Sequence, residues 1–230
     1  MSPENNKLNH VGIIMDGNRR WAKKHLLSSF EGHKKGVENF KEIARYSNKI
    51  GIKNLTVYAF STENWRRTQE EVNYLLNLFE KYLNGVLKEF DIENVRIKFV
   101  GDMSKFSQKI QDLISQIEQK SCKNTGMILN IAVNYGSREE LCNAIKKISS
   151  QEFNNNNNII EKEISNNILS PDLDLVIRTG GEKRLSNFML WQCAYAELYF
   201  TDILWPDFTV QDLEYALKDY SQRTRKFGGD

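Results

Sequence analysis

Short clusters of β-branched and aromatic residues alternate along this chain with longer segments whose apolar residues recur at helical spacing. Residues 10–16 (HVGIIMD), 54–61 (NLTVYAFS), 95–101, 127–134, 174–179 and 197–202 each read as a short buried strand. Between the first two, residues 36–50 place Val37, Phe40, Ile43, Ala44 and Ile50 near a 3.6-residue period. Thr68 and Glu71 form a capping box that opens a helix. Its apolar stripe runs through Val72, Leu75, Leu76, Phe79, Leu83, Val86, Leu87 and Phe90. Further helices are expected over 107–120, 137–150 (capped by Ser137 and Glu140), 160–168 and 209–227. Strands that alternate with helices pair in parallel, because the connecting helix must carry the chain back across the sheet. The expected fold is therefore α/β: a single domain over residues 1–230, with a mostly parallel six-stranded sheet covered by helices on both faces. Five asparagines at 154–158 cannot build a core, so a mobile surface loop is expected near 153–159.

Composition narrows the class. A chain of 230 residues can bury roughly 70–75% of its unfolded surface, enough for one ample core. Its net charge of +2 argues against a general nucleic-acid binder, which carries a clearly basic face. Apolar runs such as 57–60 and 193–196 reach four residues, far short of a membrane helix, and the polar start offers no signal peptide. Cys122, Cys142 and Cys193 have no CxxC spacing, so neither a disulfide framework nor a zinc site is expected. A cytoplasmic globular protein is the expectation.

In open parallel sheets ligands sit beyond the carboxyl ends of the strands. Four of those ends carry dense polar chemistry: 16–21 (DGNRRW), 60–67 (FSTENWRR), 134–136 (NYG) and 178–186 (RTGGEKRLS). Backbone N–H groups freed by Gly17, two guanidiniums and Asp16 suit an anion that shares a divalent cation with the carboxylate. Asn18-Arg19 replaces the Lys-Ser/Thr of a nucleotide P-loop, and no GxGxxG occurs. Arg178 and Arg184, six apart around a Gly-Gly turn, can converge on a second diphosphate with Ser186. Taken singly, each loop is equally explained as a turn with solvated charges; two on one sheet edge suggest two phosphorylated ligands side by side. Ser61, Glu63 and Asn64 lie near Trp21 and Trp65, where proton transfer in a dry site or a plain capping network would both fit. His33 stands at a helix start, where it can donate to a phosphate.

The segments HVGIIMDGNRRWAKK, GHKKG, YAFSTENWRR, LNIAVNYGSREEL, DLVIRTGGEKRLSNFMLWQCAYAELYFTDILWPDF and RKFGG together closely resemble the cis-prenyltransferases, in particular bacterial undecaprenyl diphosphate synthases. The resemblance runs in order from His10 to Gly229. It implies the cis-prenyltransferase fold and the condensation of isopentenyl diphosphate onto farnesyl diphosphate with Mg²⁺, giving undecaprenyl diphosphate for cell-wall glycan (peptidoglycan) synthesis. A non-catalytic prenyltransferase-like partner subunit is the alternative, although such subunits lose the strand-end Asp and arginine loops kept here. The resemblance also implies a homodimer and transient contact with the inner face of the plasma membrane, without nucleic acid. By the same resemblance Asp16 is catalytic and holds the metal, with Glu197 as a second metal-linked carboxylate. Gly17, Asn18, Arg19, Arg20, Trp21 and His33 would bind the allylic diphosphate. Ser61, Thr62, Glu63, Trp65 and Arg67 would line the site, and Asn64 falls where the family's proposed proton acceptor lies. Arg178, Arg184, Leu185 and Ser186 would hold isopentenyl diphosphate, and the segment 223–229 would reach toward the neighbouring subunit's site. Two positions depart from the family pattern. Ser29 stands where relatives commonly carry an arginine, and Lys183 where they often carry a histidine.

Overall fold

A computed structural model describes residues 8–88, 94–148 and 157–224. In chain order the elements are β1 (His10–Ile14), α1 (Asn18–Lys24), α2 (Ser29–Lys49), β2 (Asn54–Ser61), α3 (Gln69–Lys88), β3 (Arg96–Val100), α4 (Gln108–Ser121), β4 (Ile128–Tyr135), α5 (Ser137–Ile148), α6 (Asn157–Asn167), β5 (Leu175–Arg178), β6 (Glu197–Phe200) and α7 (Val210–Gln222). A short 3₁₀ helix, Thr62–Arg66, links β2 to α3. The six strands lie in the order β3-β4-β2-β1-β5-β6, and every neighbouring pair is parallel.

That order places a topological switch between β1 and β5. From β1 the chain adds β2, passes to β3 at the edge and inserts β4 between them, then returns to add β5 and β6 on the other side. Ile14 is in register with Arg178, so the two chains leave the sheet side by side at its carboxyl edge. This is where an open α/β sheet leaves room for a ligand.

Alternate residues of the strands supply the two cores. Val11, Ile13, Leu55, Val57, Leu129 and Ile177 pack with Ile43 of α2, Ile117 of α4 and Leu213 of α7. Ile14, Ala132 and Val176 face the other way, against Leu173, Phe188 and Met189. This second face is covered in good part by residues 179–196, which form neither helix nor strand. Ser137 and Glu140 at the start of α5 bind that segment: Ser137 Oγ accepts from the Leu190 N–H at 2.9 Å, and a Glu140 carboxylate oxygen accepts from Gln192 at 3.0 Å.

The largest difference from the sequence reading lies before residue 36. α1 replaces part of an expected turn, and α2 begins seven residues early. Ser28 and Glu31 form a reciprocal capping box there, each accepting from the other's backbone N–H. Gly36, where the helix was expected to begin, and Gly32 before it lie inside α2, and both are glycine because α1 crosses there closely. A Cβ on Gly32 would stand 2.2 Å from the Asn18 carbonyl oxygen, and one on Gly36 2.1 Å from Asn18 Oδ1. The last expected helix is shorter than the 209–227 read from sequence: α7 ends at Gln222, where Arg223 turns extended. Of the loop expected near 153–159, residues 157–159 instead open α6, while the continuations of helices to Phe90 and Ser150, the rest of that loop and the tail beyond 224 lie outside the described residues.

Candidate active site

Asp16 is fixed before its side chain is considered. Its carbonyl accepts from the Trp205 N–H at 3.0 Å and from Thr179 Oγ1 at 2.7 Å, which ties the end of β1 to the end of β5. The carboxylate then accepts from Arg178 Nη2 at 2.9 Å on one oxygen and from Arg20 Nη2 at 3.0 Å on the other. Arg178 is the deeper partner, with a side chain only 5% exposed. Its Nη1 donates to Ser186 Oγ at 2.7 Å and to the Arg184 carbonyl, while its buried Nε has no partner. A buried guanidinium with an unused donor, anchored by a carboxylate, is poised to take an anion. Gly180, at φ +83°, lets the backbone turn so that its carbonyl meets Arg20 Nη1 at 2.5 Å.

A second cationic group surrounds Glu71, a buried carboxylate. Arg67 meets it at 2.7 Å and Arg19 at 3.6 Å. Beside them burial, and then the positive charge of Arg67, lower the His33 pKa from 6.5 to about 4, with Glu71 opposing and Arg19 assisting. His33 Nε2 and Asn18 Oδ1 are both buried without a hydrogen-bond partner. Orphaned polar atoms beside two guanidiniums form the polar end of a ligand site, not of a finished core.

Those two residues line one end of an apolar cavity of about 230 Å³ enclosed by α2, α3 and the sheet. From Asn18 and His33 at the carboxyl edge the cavity reaches Val95 and Met127 at the amino edge. Ala59 shows why it exists. This residue sits in β2, a central strand, yet it is exposed, because it opens onto the hollow beneath Leu76 and Phe79.

A third group stands at the ends of β2 and β4. Glu63 is held by hydrogen bonds from Ser61, Asn187 and Thr62; burial pushes its pKa up, but these bonds and its own backbone N–H outweigh it and hold it below the ordinary value. Asn187 adopts φ +63°, donates to Glu63 at 3.2 Å and accepts from the Arg138 N–H at 3.0 Å. It thereby joins the 178–186 loop to the β2 end. Asn64 Oδ1 accepts from the Ser61 N–H at 3.1 Å, so this side chain caps the 3₁₀ turn.

Most of the expected site residues converge. Asp16, Arg20, Arg178, Arg184 and Ser186 meet at the β1/β5 edge; Asn18, Arg19, His33 and Arg67 meet at the cavity end; Ser61, Thr62, Glu63 and Asn64 form the third group, and Gly17 starts α1 at φ +116°. Four do not converge in the expected way. Trp21 turns aside, donating to Asp207 at 2.6 Å and lying against His25. Trp65 packs on Phe60 and Phe106 and donates to Asn134 at 2.7 Å. Leu185 packs on the second core. Glu197 pairs with Leu175 at the amino end of the sheet, about three residues or ~10 Å down the strand from the Arg178 row, and accepts from Arg223 at 2.8 Å. Asp16 and Glu197 therefore do not meet within one chain. Glu71, Asn187 and Tyr58 were missed. Tyr58, whose phenol burial pushes up strongly, donates to the Tyr135 carbonyl at 3.0 Å beneath this edge.

Among the described residues no three His, Cys, Asp or Glu side chains cluster as a metal cage. Asp16 alone fits a hard divalent cation of the kind that takes one carboxylate, several waters and substrate phosphates. Its two oxygens have accepted one hydrogen bond each, and a carboxylate offers about four acceptor positions.

Two cationic groups on one edge, one of them at the end of a mostly apolar cavity, are an arrangement that suits an enzyme acting on apolar diphosphate esters. Comparison with known proteins agrees. A family described as "Putative undecaprenyl diphosphate synthase" matches residues 14–228. Isoprenyl transferase of Treponema denticola is 46% identical over 225 residues, covering 96% of this chain and 98% of its own, and that of Fusobacterium nucleatum is 45% identical over 228 residues, covering 98% of each. Lavandulyl diphosphate synthase from Lavandula x intermedia, solved in complex with dimethylallyl diphosphate, superposes with a TM-score of 0.91 at 39% identity, covering 96% of this chain and 98% of its own. A probable undecaprenyl diphosphate synthase of Campylobacter jejuni does so at 0.82 and 33% identity, covering 97% and 100%. The chain belongs to the cis-prenyltransferase family of isoprenyl transferases and is an enzyme of that family.

Proposed function

We propose that this enzyme adds isopentenyl diphosphate units in cis to farnesyl diphosphate, and that its product is undecaprenyl diphosphate for cell-wall glycan assembly. The observation that carries this reading is Arg178, buried against Asp16 with a free donor, near a cavity that is polar at Asn18 and His33 and mostly apolar along the rest of its walls. The farnesyl diphosphate head lies on Asn18, Arg19, Arg67 and His33, with its tail in the cavity. The isopentenyl diphosphate head lies on Arg178, Arg184 and Ser186.

The allylic C1–O bond breaks and its electron pair leaves with the diphosphate. The double bond of isopentenyl diphosphate attacks C1, and a proton then leaves the new chain to restore an alkene. Guanidiniums and backbone amides stabilise the departing negative charge, while the apolar walls keep water from the allylic cation. Mg²⁺, held by Asp16 and the phosphates, would neutralise further charge on the leaving group. Asn64 is uncharged and already accepts from Ser61, so it positions the turn, and the released diphosphate takes the proton.

The cavity sets a limit on the resting state. A hollow of about 150 Å³ holds one benzene, so about 230 Å³ holds roughly two isoprene units. A longer chain, the three-unit farnesyl tail included, requires α3 to move away from α2. The reading further includes a homodimer in the cytoplasm and product release at a membrane surface.

Incorporation of radiolabelled isopentenyl diphosphate into butanol-extractable lipid tests it. Label should enter a ladder of long products only when both farnesyl diphosphate and Mg²⁺ are present. No incorporation under any condition would mean a non-catalytic subunit.

A further inference from the structure

The most exposed large apolar side chain of the described residues lies outside the site, in the link between α1 and α2. Leu26 is 96% exposed, and it holds φ at +58°, a backbone region that leucine seldom occupies. Leu27 follows at 41% exposure. Two adjacent leucines presented to water, the first on a strained backbone that no internal packing requires, point to a contact outside the chain.

Its surroundings indicate what that contact is. Lys23 and Lys24 close α1 immediately before it, and Lys34 and Lys35 lie on the second turn of α2; all four are exposed. The acid nearest in sequence, Glu31, is turned back onto Ser28 at 3.0 Å, and Glu38 meets Lys35 at 3.7 Å. His25 is held against Trp21. Asp207 accepts from Trp21 at 2.6 Å, so Glu31, Glu38 and Asp207 stand against the four lysines, and the tip is apolar at its point with a lysine excess around its base, the pattern of a shallow anchor in an anionic bilayer. Its place in the fold fits as well. α2 runs antiparallel to the strands, so its first residue rises about 6 Å beyond His33, and the leucines stand further out on the side of the molecule where the cavity has its polar end.

We propose that the Leu26–Leu27 tip, with Lys23, Lys24, Lys34 and Lys35, docks the enzyme on anionic phospholipid so that the apolar product passes directly into the bilayer. This deepens the functional reading above and rests on it for the product, although the docking itself is measured without catalysis.

The test is cosedimentation of the full chain with vesicles of phosphatidylcholine alone or of equimolar phosphatidylcholine and phosphatidylglycerol. The wild-type protein should pellet with the anionic vesicles, less so as salt rises, and not with the neutral ones. Leu26→Asp should weaken binding roughly tenfold or more. Asp accepts the left-handed backbone more readily than Leu, so this variant folds. Lys23→Ala and Lys24→Ala should each cost roughly fivefold. In detergent Leu26→Asp should turn over like wild type, whereas with anionic vesicles in place of detergent its multiple-turnover rate should fall. Failure of the wild-type protein to bind anionic vesicles overturns the proposal, and so does unchanged binding by Leu26→Asp. Loss of a dimer in Leu26→Asp would identify the tip as a subunit contact and likewise overturn it. Vesicle binding without any isopentenyl incorporation would remove the catalytic reading and leave the docking intact.

Discussion

Inorganic diphosphate added to the free enzyme should raise the pKa of His33. Burial and the flanking guanidiniums of Arg67 and Arg19 hold this imidazole near 4 instead of 6.5. A difference of that size corresponds to at most on the order of 3 kcal/mol between the two protonation states, less where solvent reaches the ring. An opposite charge within ~4–6 Å favours the protonated form by about 1–3 units. A diphosphate seated between Arg19, Arg67 and His33 should therefore move the midpoint upward by about 1–3 units. The chain has three histidines, so proton NMR titration of the ring protons, with His33→Gln for assignment, reads the shift directly. Linkage supplies a second readout. Because the folded value lies below the unfolded one, the unfolded chain binds the extra proton between about 4 and 6.5. Stability from this group is complete above 6.5 and is lost as pH falls toward 4. The buried His10 acts in the same direction, so the His33 share is the difference between wild type and His33→Gln in urea denaturation. Titration of His33 near 6.5 in the free protein, or a midpoint that ignores diphosphate, would refute this electrostatic account.

Asp16→Ala should lower turnover by about 10²–10³-fold while farnesyl diphosphate, measured by equilibrium binding, is retained within a few-fold. Arg178→Lys cannot span Asp16 and Ser186 with one ammonium; losing charged, buried hydrogen bonds worth about 2–4 kcal/mol should cut kcat/KM for isopentenyl diphosphate by roughly 30–1000-fold. Ala59→Phe projects a ring into the hollow and should shorten the product ladder on thin-layer chromatography without abolishing the first condensations. Detergent should raise the multiple-turnover rate far more than the single-turnover rate, because each added isoprene strengthens product retention by about 3–4 kcal/mol at ~0.8 kcal/mol per buried methylene; equal effects would argue against slow release.

The sheet was legible because alternation and β-branched clusters speak through local sequence: β2 falls over the expected residues, and the other strands within two at either end. The start of α2 was not, because Gly32 and Gly36 signal a break in isolation but mark a close helix crossing once Asn18 is brought against them. The clustering of the two arginine loops at one sheet edge was legible, since each follows a strand end and carries its Gly turn and guanidiniums in a short window. Glu71 read as a capping residue, and Thr68 Oγ1 does accept from its N–H at 3.3 Å. Its side chain meets Arg67 four positions back, a helical neighbour, but also turns toward Arg19, 52 positions away, a relation no local spacing encodes. His10 offered no context at all. It is a core hub, bonded through Nε2 to Thr56 Oγ1 at 2.7 Å and through Nδ1 to the carbonyls of Pro171 and Asp172 at 3.0 Å. Glu197 shows the opposite: a motif residue can lie apart from its expected partner within one chain when it opens a strand at the amino end and the partner stands beyond the carboxyl edge.

A structure of the enzyme with a non-cleavable farnesyl diphosphate analogue, isopentenyl diphosphate and Mg²⁺ would be the most direct test of two diphosphate heads side by side above one apolar shaft. The account predicts one head on Arg178, Arg184 and Ser186, the other on Asn18, Arg19 and His33, and the farnesyl tail passing Ala59 between α2 and α3. A tail lying outside that cavity, or a single head shared by both arginine groups, would contradict it.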